Sequence, residues 1–467
     1  MKYALFACAT VLFCACGSDS GSDNDTANLP PLAVANHPEL PGHHDYPKDV
    51  LAQEVTILQE TLQELYPGLY DLHSKARMQQ RFDYMRGVAS GEGNLSYSQW
   101  LSQIVQLTVD LGDQAFLWGH SPNYRKWWDN EVNVPPFNLR QENGKWVIHQ
   151  VHDDDSGLLP GTEITAIQGK TLDQYLALNS GLLPVQGTSA STQAEWLEDA
   201  FAMHHTSFWE RPDTYTLTLG DGTQKVVDGI TGALYNVASD YMRTQPRIGF
   251  DSQDQVGIMT LPSLNYRELE NGGTPYEQAI GAVFSTVKHR GCTSLVIDLR
   301  GTADGHIKVG RELLSYLTDQ PLLDSIYKSP TINITHRVYA QSTKMLEPKF
   351  LVSMMRGPEQ PDLAFDGKVV VLTDGDNRGA TGLLVAALRK RPNTLIVGEQ
   401  PPVYAWGIHH GTYYLEMPYS KVMVGIPSTR LIVDKSKAGT TELVSLDQAI
   451  ADGPNALATA IALAAKP

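Results

Sequence analysis

The sequence predicts a multi-domain α/β protein, and three observations carry that prediction. A chain of 467 residues with 42% hydrophobic content has enough apolar surface for two or three packed domains. Its C-terminal half alternates short apolar runs with amphipathic stretches, the order of a strand-helix-strand architecture. Runs such as Leu295-Val296-Ile297 and Val369-Val370-Val371-Leu372 are continuously apolar, as strands become when helices cover both faces of a mainly parallel sheet.

The N-terminus reads as an export signal of lipoprotein type over residues 1–16. Lys2 precedes the apolar stretch Tyr3 to Ala15, which is too short to span a bilayer, and Cys16 opens a polar tail. Cys16 follows the small Ala15 and is the expected acylation site, with Phe13 an imperfect match to a lipobox; an ordinary cleaved signal peptide is the alternative. This predicts an exported protein held at a membrane and facing the periplasm or cell exterior. Residues 17–45, rich in Ser, Asp, Asn and Pro, read as a flexible tether. Cleavage before Cys16 would leave Cys292 as its only companion, so no intramolecular disulfide framework is expected, and Cys292 reads as a small core residue. Acidic side chains outnumber basic ones by 52 to 36, a field that repels nucleic acid and excludes it as a partner.

Residues 46–130 are expected to form a helical domain. Leu51, Val55, Leu58, Leu62 and Leu65 lie on one helical stripe that Pro67-Gly68 ends, and Tyr97, Trp100, Ile104, Leu107 and Leu111 form another. Phe82, Tyr84 and Met85 suggest a helix between them, and these aromatics are expected in its core. Over residues 131–240 the pattern becomes β. Lys145 to Ile148 read as a strand, and Leu159 to Lys170 as a turn, an alternating strand and a second turn. An insertion from Leu178 to Pro212, partly helical around Ala194 to His205, precedes a strand at Tyr215 to Leu219 and the turn Asp221-Gly222. The segment Leu159-Pro160-Gly161-Thr162-Glu163-Ile164-Thr165-Ala166-Ile167-Gln168-Gly169 resembles the carboxylate-loop region of a PDZ domain, and that resemblance implies binding of an extended peptide along a sheet edge.

Residues 250–467 carry the α/β core. Strands are expected at Gly257 to Leu261, Ser294 to Leu299, Lys368 to Thr373 and Thr394 to Val397, with helices at Tyr276 to His289, Gly305 to Leu317 and Gly382 to Arg391. In such a core the loops leaving the carboxyl ends of the strands form the site, so Asp298 to Gly305 and Asp374 to Gly382 should face one crevice.

The phrases Ile297-Asp298-Leu299-Arg300-Gly301 and Val371-Leu372-Thr373-Asp374, the latter followed by Ala380-Thr381-Gly382, come after a helical cap and a PDZ-like segment. The chain thereby resembles the C-terminal processing, or tail-specific, serine peptidases over about residues 48–467, which implies a core shared with crotonase-like and Clp-type folds. The resemblance places the family's nucleophilic serine at Gly379, its lysine base at Tyr404 and, for branches that use histidine, that histidine at Ala115. Glycine has no group that attacks a carbonyl, and an ordinary tyrosine is a poor base near neutrality. In the loop after Arg300, Ala303 and Asp304 stand where glycines would allow close backbone approach, and Asp304 brings negative charge where an oxyanion would develop.

These departures predict a peptidase fold whose crevice, lined by Gly301, Thr302, Gly305, His306, Gly379, Ala380, Thr381, Tyr404 and Trp406, binds without cleaving. A peptide or protein C-terminus or a small apolar molecule is the expected ligand. Two alternatives stay open: a serine- or threonine-type peptidase with a rearranged catalytic set using Thr302 or Thr381, and a periplasmic scaffold using the PDZ-like edge. His120 and His306 are candidates for polarising a bound group, with hydrogen bonding within loops as the other reading. The pairs His43-His44, His204-His205 and His409-His410 do not suggest a metal site, because adjacent strand residues point to opposite faces; surface or half-buried positions are expected for them. No cofactor-binding pattern is found.

Overall fold

A computed structural model describes residues 45–466 apart from 92–94, 114, 121, 143, 181, 183–189, 242–246, 271–273, 304, 329–337, 341–352, 356–360, 452 and 454. The segment expected to be a signal, with Cys16, nearly all of the expected tether, His43-His44 and Asp304 lie outside the described residues.

The core is a six-stranded sheet in the order Gly249–Gln253, Val256–Thr260, Ser294–Asp298, Lys368–Thr373, Thr394–Gly398, Gln448–Ala449. Its first pair is antiparallel and the remaining pairs are parallel. Successive side chains of a strand point to opposite faces, and both faces are packed. Leu295, Ile297, Val369 and Val371 join the cluster formed with helices Tyr276–His289, Ile307–Ser315 and Gly379–Arg389. Val296, Val370 and Leu372 pack on Ala456, Ala460 and Ala464 of the helix Ala456–Ala464. The continuously apolar strands are thus explained by burial on both sides.

A five-stranded sheet stands beside the core, built on the long hairpin Gly407–Glu416 and Met423–Ile432. Sequence reading did not find this hairpin, since runs such as His409-His410-Gly411-Thr412 mix polar residues and glycine without clear alternation. One strand of it, Met423–Ile432, also pairs with Leu117–Gly119 from the N-terminal part of the chain.

The N-terminal helices Lys48–Leu65, Lys75–Ser90 and Tyr97–Leu111 form where their apolar stripes predict. Ser96 and Gln99 start the third with a capping box, and Gly112 ends it in a left-handed conformation. Tyr84 is a correction: it is 57% exposed, while Met78, Phe82, Met85 and Ala89 are buried. Position 84 lies about 200° around the helix from 82, on the opposite face, where its ring meets Arg81.

The helical layer does not bury its core alone. Leu415, Met417, Val422, Val424 and Ile426 of the hairpin region belong to the same apolar cluster as Trp100 and Leu58. At that junction the buried carboxylate of Glu54 accepts hydrogen bonds from Trp100 Nε1 at 2.8 Å, the amides of Tyr419 and Ser420 at 2.7 Å each, and Ser420 Oγ at 2.8 Å. These hydrogen bonds oppose the desolvation of Glu54, which still leaves it above the ordinary carboxyl value, and they fix the hairpin turn against the first helix.

Between the two lies a β unit. Its sheet runs Gln224–Asp228, Thr214–Leu219, Ile164–Ile167, Lys170–Thr171, beside the antiparallel pair Phe137–Glu142 and Lys145–Val151. The tight turn after Ile167 uses Gln168 and Gly169, both with positive φ, as a two-residue hairpin of the primed type requires. Helices Leu172–Ser180 and Ala190–His204 complete its core around Tyr175, Leu197, Phe201 and Tyr215. His204 and His205 are buried, at 2% and 0% exposure, which corrects the surface expectation. They sit where the helix passes into a π-turn, His205–Trp209, packed among aromatic rings.

Candidate functional site

Loops at the carboxyl ends of the core strands meet as the topology requires, and hydrogen bonds close them together. The amide of Gly301 donates to Asp374 Oδ2 at 2.5 Å, and Asn377 Nδ2 reaches the carbonyls of Leu299 at 2.7 Å and Thr302 at 3.1 Å. Thr302 Oγ1 donates to the carbonyl of Leu261 and Thr381 Oγ1 to that of Ala303. Both threonines are fully buried. Their hydroxyl protons are bound to carbonyl oxygens rather than to a base, so neither is arranged as a nucleophile.

Gly379 opens the helix Gly379–Arg389 with φ at 52°. A residue with a side chain would cost about 1–2 kcal/mol in that left-handed conformation, so the backbone suits the glycine that stands there. Ala380 and Thr381 follow it into the buried first turn. Gly305 approaches Leu264 so closely that an added Cβ would lie 2.6 Å from the Leu264 backbone carbon. His306 caps the helix Ile307–Ser315, its Nδ1 accepting from the Lys308 amide at 3.2 Å, and its ring meets Tyr266 edge-on.

A second, buried polar cluster joins this core to the helical layer. Asp113, which follows the capping Gly112, accepts hydrogen bonds from His409 Nδ1 at 2.6 Å, Tyr66 Oη at 2.8 Å and the Ala115 amide at 2.9 Å. Burial by itself would raise Asp113, but the neighbouring His409 and the hydrogen bonds bring it below the ordinary carboxyl value, so it is ionised. On the far side of the His409 ring, Arg430 Nε donates to Nε2 at 3.3 Å. Arg430 also pairs with Asp71, donates to the Pro67 carbonyl at 3.0 Å and lies over the Trp406 ring at 5.2 Å. Trp406 stacks on Tyr404 at 5.6 Å and meets His409 edge-on at 5.1 Å.

Tyr404 holds the position that the resemblance gives to a lysine base. Burial, then the Asp113 and Asp71 carboxylates, raise it above the ordinary tyrosine value. It is a neutral phenol at neutral pH, a form that can donate a hydrogen bond but is a poor base. Its hydroxyl is buried and has no hydrogen-bond partner among the described residues.

Sequence reasoning named Tyr404, Trp406 and the Gly112-Asp113 motif but missed Tyr66, Asp71, His409 and Arg430 as parts of one network. The signal was present in the pair His409-His410: the alternation of a strand sends His409 inward, to 5% exposure, and leaves its neighbour half-buried. The surface expectation fails for His409 because Asp113 and Arg430 satisfy both of its ring nitrogens. His120 is placed elsewhere, between Tyr97 and Ser207. Among the described residues no group of His, Cys, Asp or Glu is arranged to hold a metal ion.

A six-stranded α/β sheet whose strand-end loops are joined by buried hydrogen bonds, accompanied by a helical layer and a β unit, defines the class. Residues 255–415 match the family model of peptidase family S41. Among solved structures the chain is similar to a point mutant of CPAF, with 14% identity, 86% of this chain and 93% of that chain covered, and a TM-score of 0.60. It is likewise similar to mature CPAF, at 14% identity, 86% and 92% coverage and a TM-score of 0.55. A third likeness is to mature CPAF complexed with lactacystin, at 14% identity, 86% and 94% coverage and a TM-score of 0.54. At such identity the likeness is one of fold. No curated protein matches the chain.

Proposed function

We propose that the crevice of this S41-type core binds a peptide segment or small apolar ligand without cleaving it. The observation that carries this reading is the state of the groups around Gly379. The glycine offers no nucleophile, the Thr302 and Thr381 hydroxyls are held by carbonyls, and the Gly301 amide is held by Asp374. Tyr404 supports a binding role, because its unpartnered hydroxyl is a donor available to a ligand carbonyl, beside the aromatic face of Trp406. The alternative peptidase with a rearranged threonine is disfavoured by the same hydrogen bonds.

The test is titration of the mature protein with unstructured peptides, followed by Trp fluorescence and by mass spectrometry of the peptide. Saturable binding is expected with the peptide recovered intact, and Tyr404→Phe should weaken it by about fivefold, the worth of one hydrogen bond. Cleavage that disappears in Thr302→Ala or Thr381→Ala, or absence of any binding, would overturn the reading. The proposal includes a lipid tether at Cys16, motivated by the apolar stretch and polar tail around it. Cys16→Ala should then move the protein from the detergent to the aqueous phase on phase partition, and an unchanged partition would remove the tether from the proposal.

A further inference from the structure

Away from the Gly379 crevice, a serine and an imidazole meet in hydrogen-bond reach. The helix Ala190–His204 widens into the π-turn His205–Trp209, and this turn presents Ser207 to the helical layer. Ser207 Oγ lies 3.0 Å from His120 Nε2, and His120 Nδ1 lies 3.2 Å from the Tyr97 hydroxyl. Tyr124 Oη donates to Ser207 Oγ at 3.3 Å, while the His120 ring stacks on Tyr124 at 4.0 Å. Arg211 hydrogen-bonds the Tyr124 hydroxyl, and its own position is fixed by the Thr206 carbonyl at 2.7 Å, Ser98 Oγ at 2.9 Å and the Trp127 ring.

The roles follow from donor and acceptor counting. With the Tyr124 proton directed at Ser207 Oγ, the Ser207 proton is free to point at His120 Nε2, which makes Nδ1–H the donor to Tyr97. Burial first, then the charges of Arg125, His204 and Arg211, hold His120 well below the ordinary histidine value, so the ring is the neutral form that a base requires. Tyr124, polarised by Arg211, sits where it can donate to an oxygen bonded beside Ser207 Oγ. Ser207 is 2% exposed and His120 is partly buried, so only a small electrophile could reach the pair. Trp118 beside His120, and Phe208 beside Trp118, make the surroundings of the imidazole apolar.

We propose that Ser207, His120, Tyr97 and Tyr124 form a second nucleophilic centre, separate from the Gly379 crevice, whose substrates are small acyl esters of apolar alcohols or phenols. Ser207 Oγ bonds to the acyl carbon as its proton passes to His120 Nε2, and Tyr124 donates to the developing oxyanion. The ester C–O bond breaks, and His120 returns the proton to the leaving alcohol. Water then attacks the acyl-serine, giving its proton through His120 to Ser207 Oγ and releasing the acid. Tyr97 is a positioning residue that keeps Nδ1 protonated and the ring aligned.

The experiment uses the mature protein with a fluorophosphonate probe and with p-nitrophenyl acetate. The probe should form one adduct, mapped by peptide mass spectrometry to Ser207, with loss of fluoride. Ester hydrolysis should be abolished in Ser207→Ala and fall by about a hundredfold in His120→Gln, the scale of a lost general base. Tyr97→Phe should shift the pH profile of hydrolysis and leave the adduct on Ser207. No adduct on Ser207 overturns the proposal, and it does so on the wild-type protein, whatever the variants do to folding. An adduct on Thr302 or Thr381 overturns it and the non-cleaving crevice together, whereas failed peptide binding with a Ser207 adduct removes only the crevice reading.

Discussion

Lowering the pH from neutrality to about 4.5 is expected to cost the fold about 5 kcal/mol through His204 and His205, and the lowered His152 and His120 add to that loss. Burial lowers both histidines from 6.5 to about 4. His204 stacks on Trp118. His205 lies among Tyr175, Phe201, Trp209 and Tyr215. Tyr175 donates to the Ile167 carbonyl at 3.2 Å, so His205 Nε2–H donates to the Tyr175 oxygen and the bare nitrogen is Nδ1, which has no partner. Protonating Nδ1 would bury a charge among aromatic rings, a cost that the nearby Glu210 reduces without cancelling. Their folded values lie below the unfolded ones, so the unfolded chain binds more protons between those values. Stability is therefore fully present above about pH 6.5 and falls as the pH drops toward 4. Urea unfolding across this range measures it. His204→Phe should remove about 2 kcal/mol of the loss, and a profile that stays flat down to about pH 4.5 would show that these rings are hydrated or partnered in the fold.

How far the sequence reached is clearest at four places. Ser294–Asp298 and Lys368–Thr373 were legible because burial on both faces writes itself as an unbroken apolar run. The helix Tyr276–His289 was legible because one of its faces carries Tyr276, Ile280, Val283, Phe284 and Val287. The helix at Gly379 begins before the apolar stretch that predicts it, because residues 379–381 are small or polar and take their place from the strand-loop junction. The hairpin Gly407–Glu416 was hidden since its inward residues include a histidine satisfied by an aspartate nearly three hundred positions away, at Asp113. Local pattern encodes which face is apolar. It does not encode which buried polar groups will meet, and the candidate site is made largely of those.

Asp113→Ala is expected to destabilise the protein by about 3–5 kcal/mol, the cost of removing one member of a buried hydrogen-bonded charge network. The carboxylate holds His409, Tyr66 and the Ala115 amide at once, and its loss leaves those donors buried with no acceptor. Through His409 the effect extends to Arg430, whose pairing with Asp71 and contact with Trp406 align the hairpin against the turn at Pro67. Asp113→Asn should cost less, because the amide oxygen still accepts from the ring while the charge is lost. Equilibrium unfolding of both variants at neutral pH separates shape from charge. Where the carboxylate is the hub, the alanine variant falls well below the asparagine one, and both lose the raised ionisation of Tyr404 that Asp113 helps to maintain. Equal losses under about 1 kcal/mol in both would mean that water replaces the carboxylate and that the network is not what joins helices to core. The same measurement tests what this cluster does for the fold: Asp113 is tied to His409, Tyr66 and the Ala115 amide, and its removal is where a role in holding the elements together is measurable.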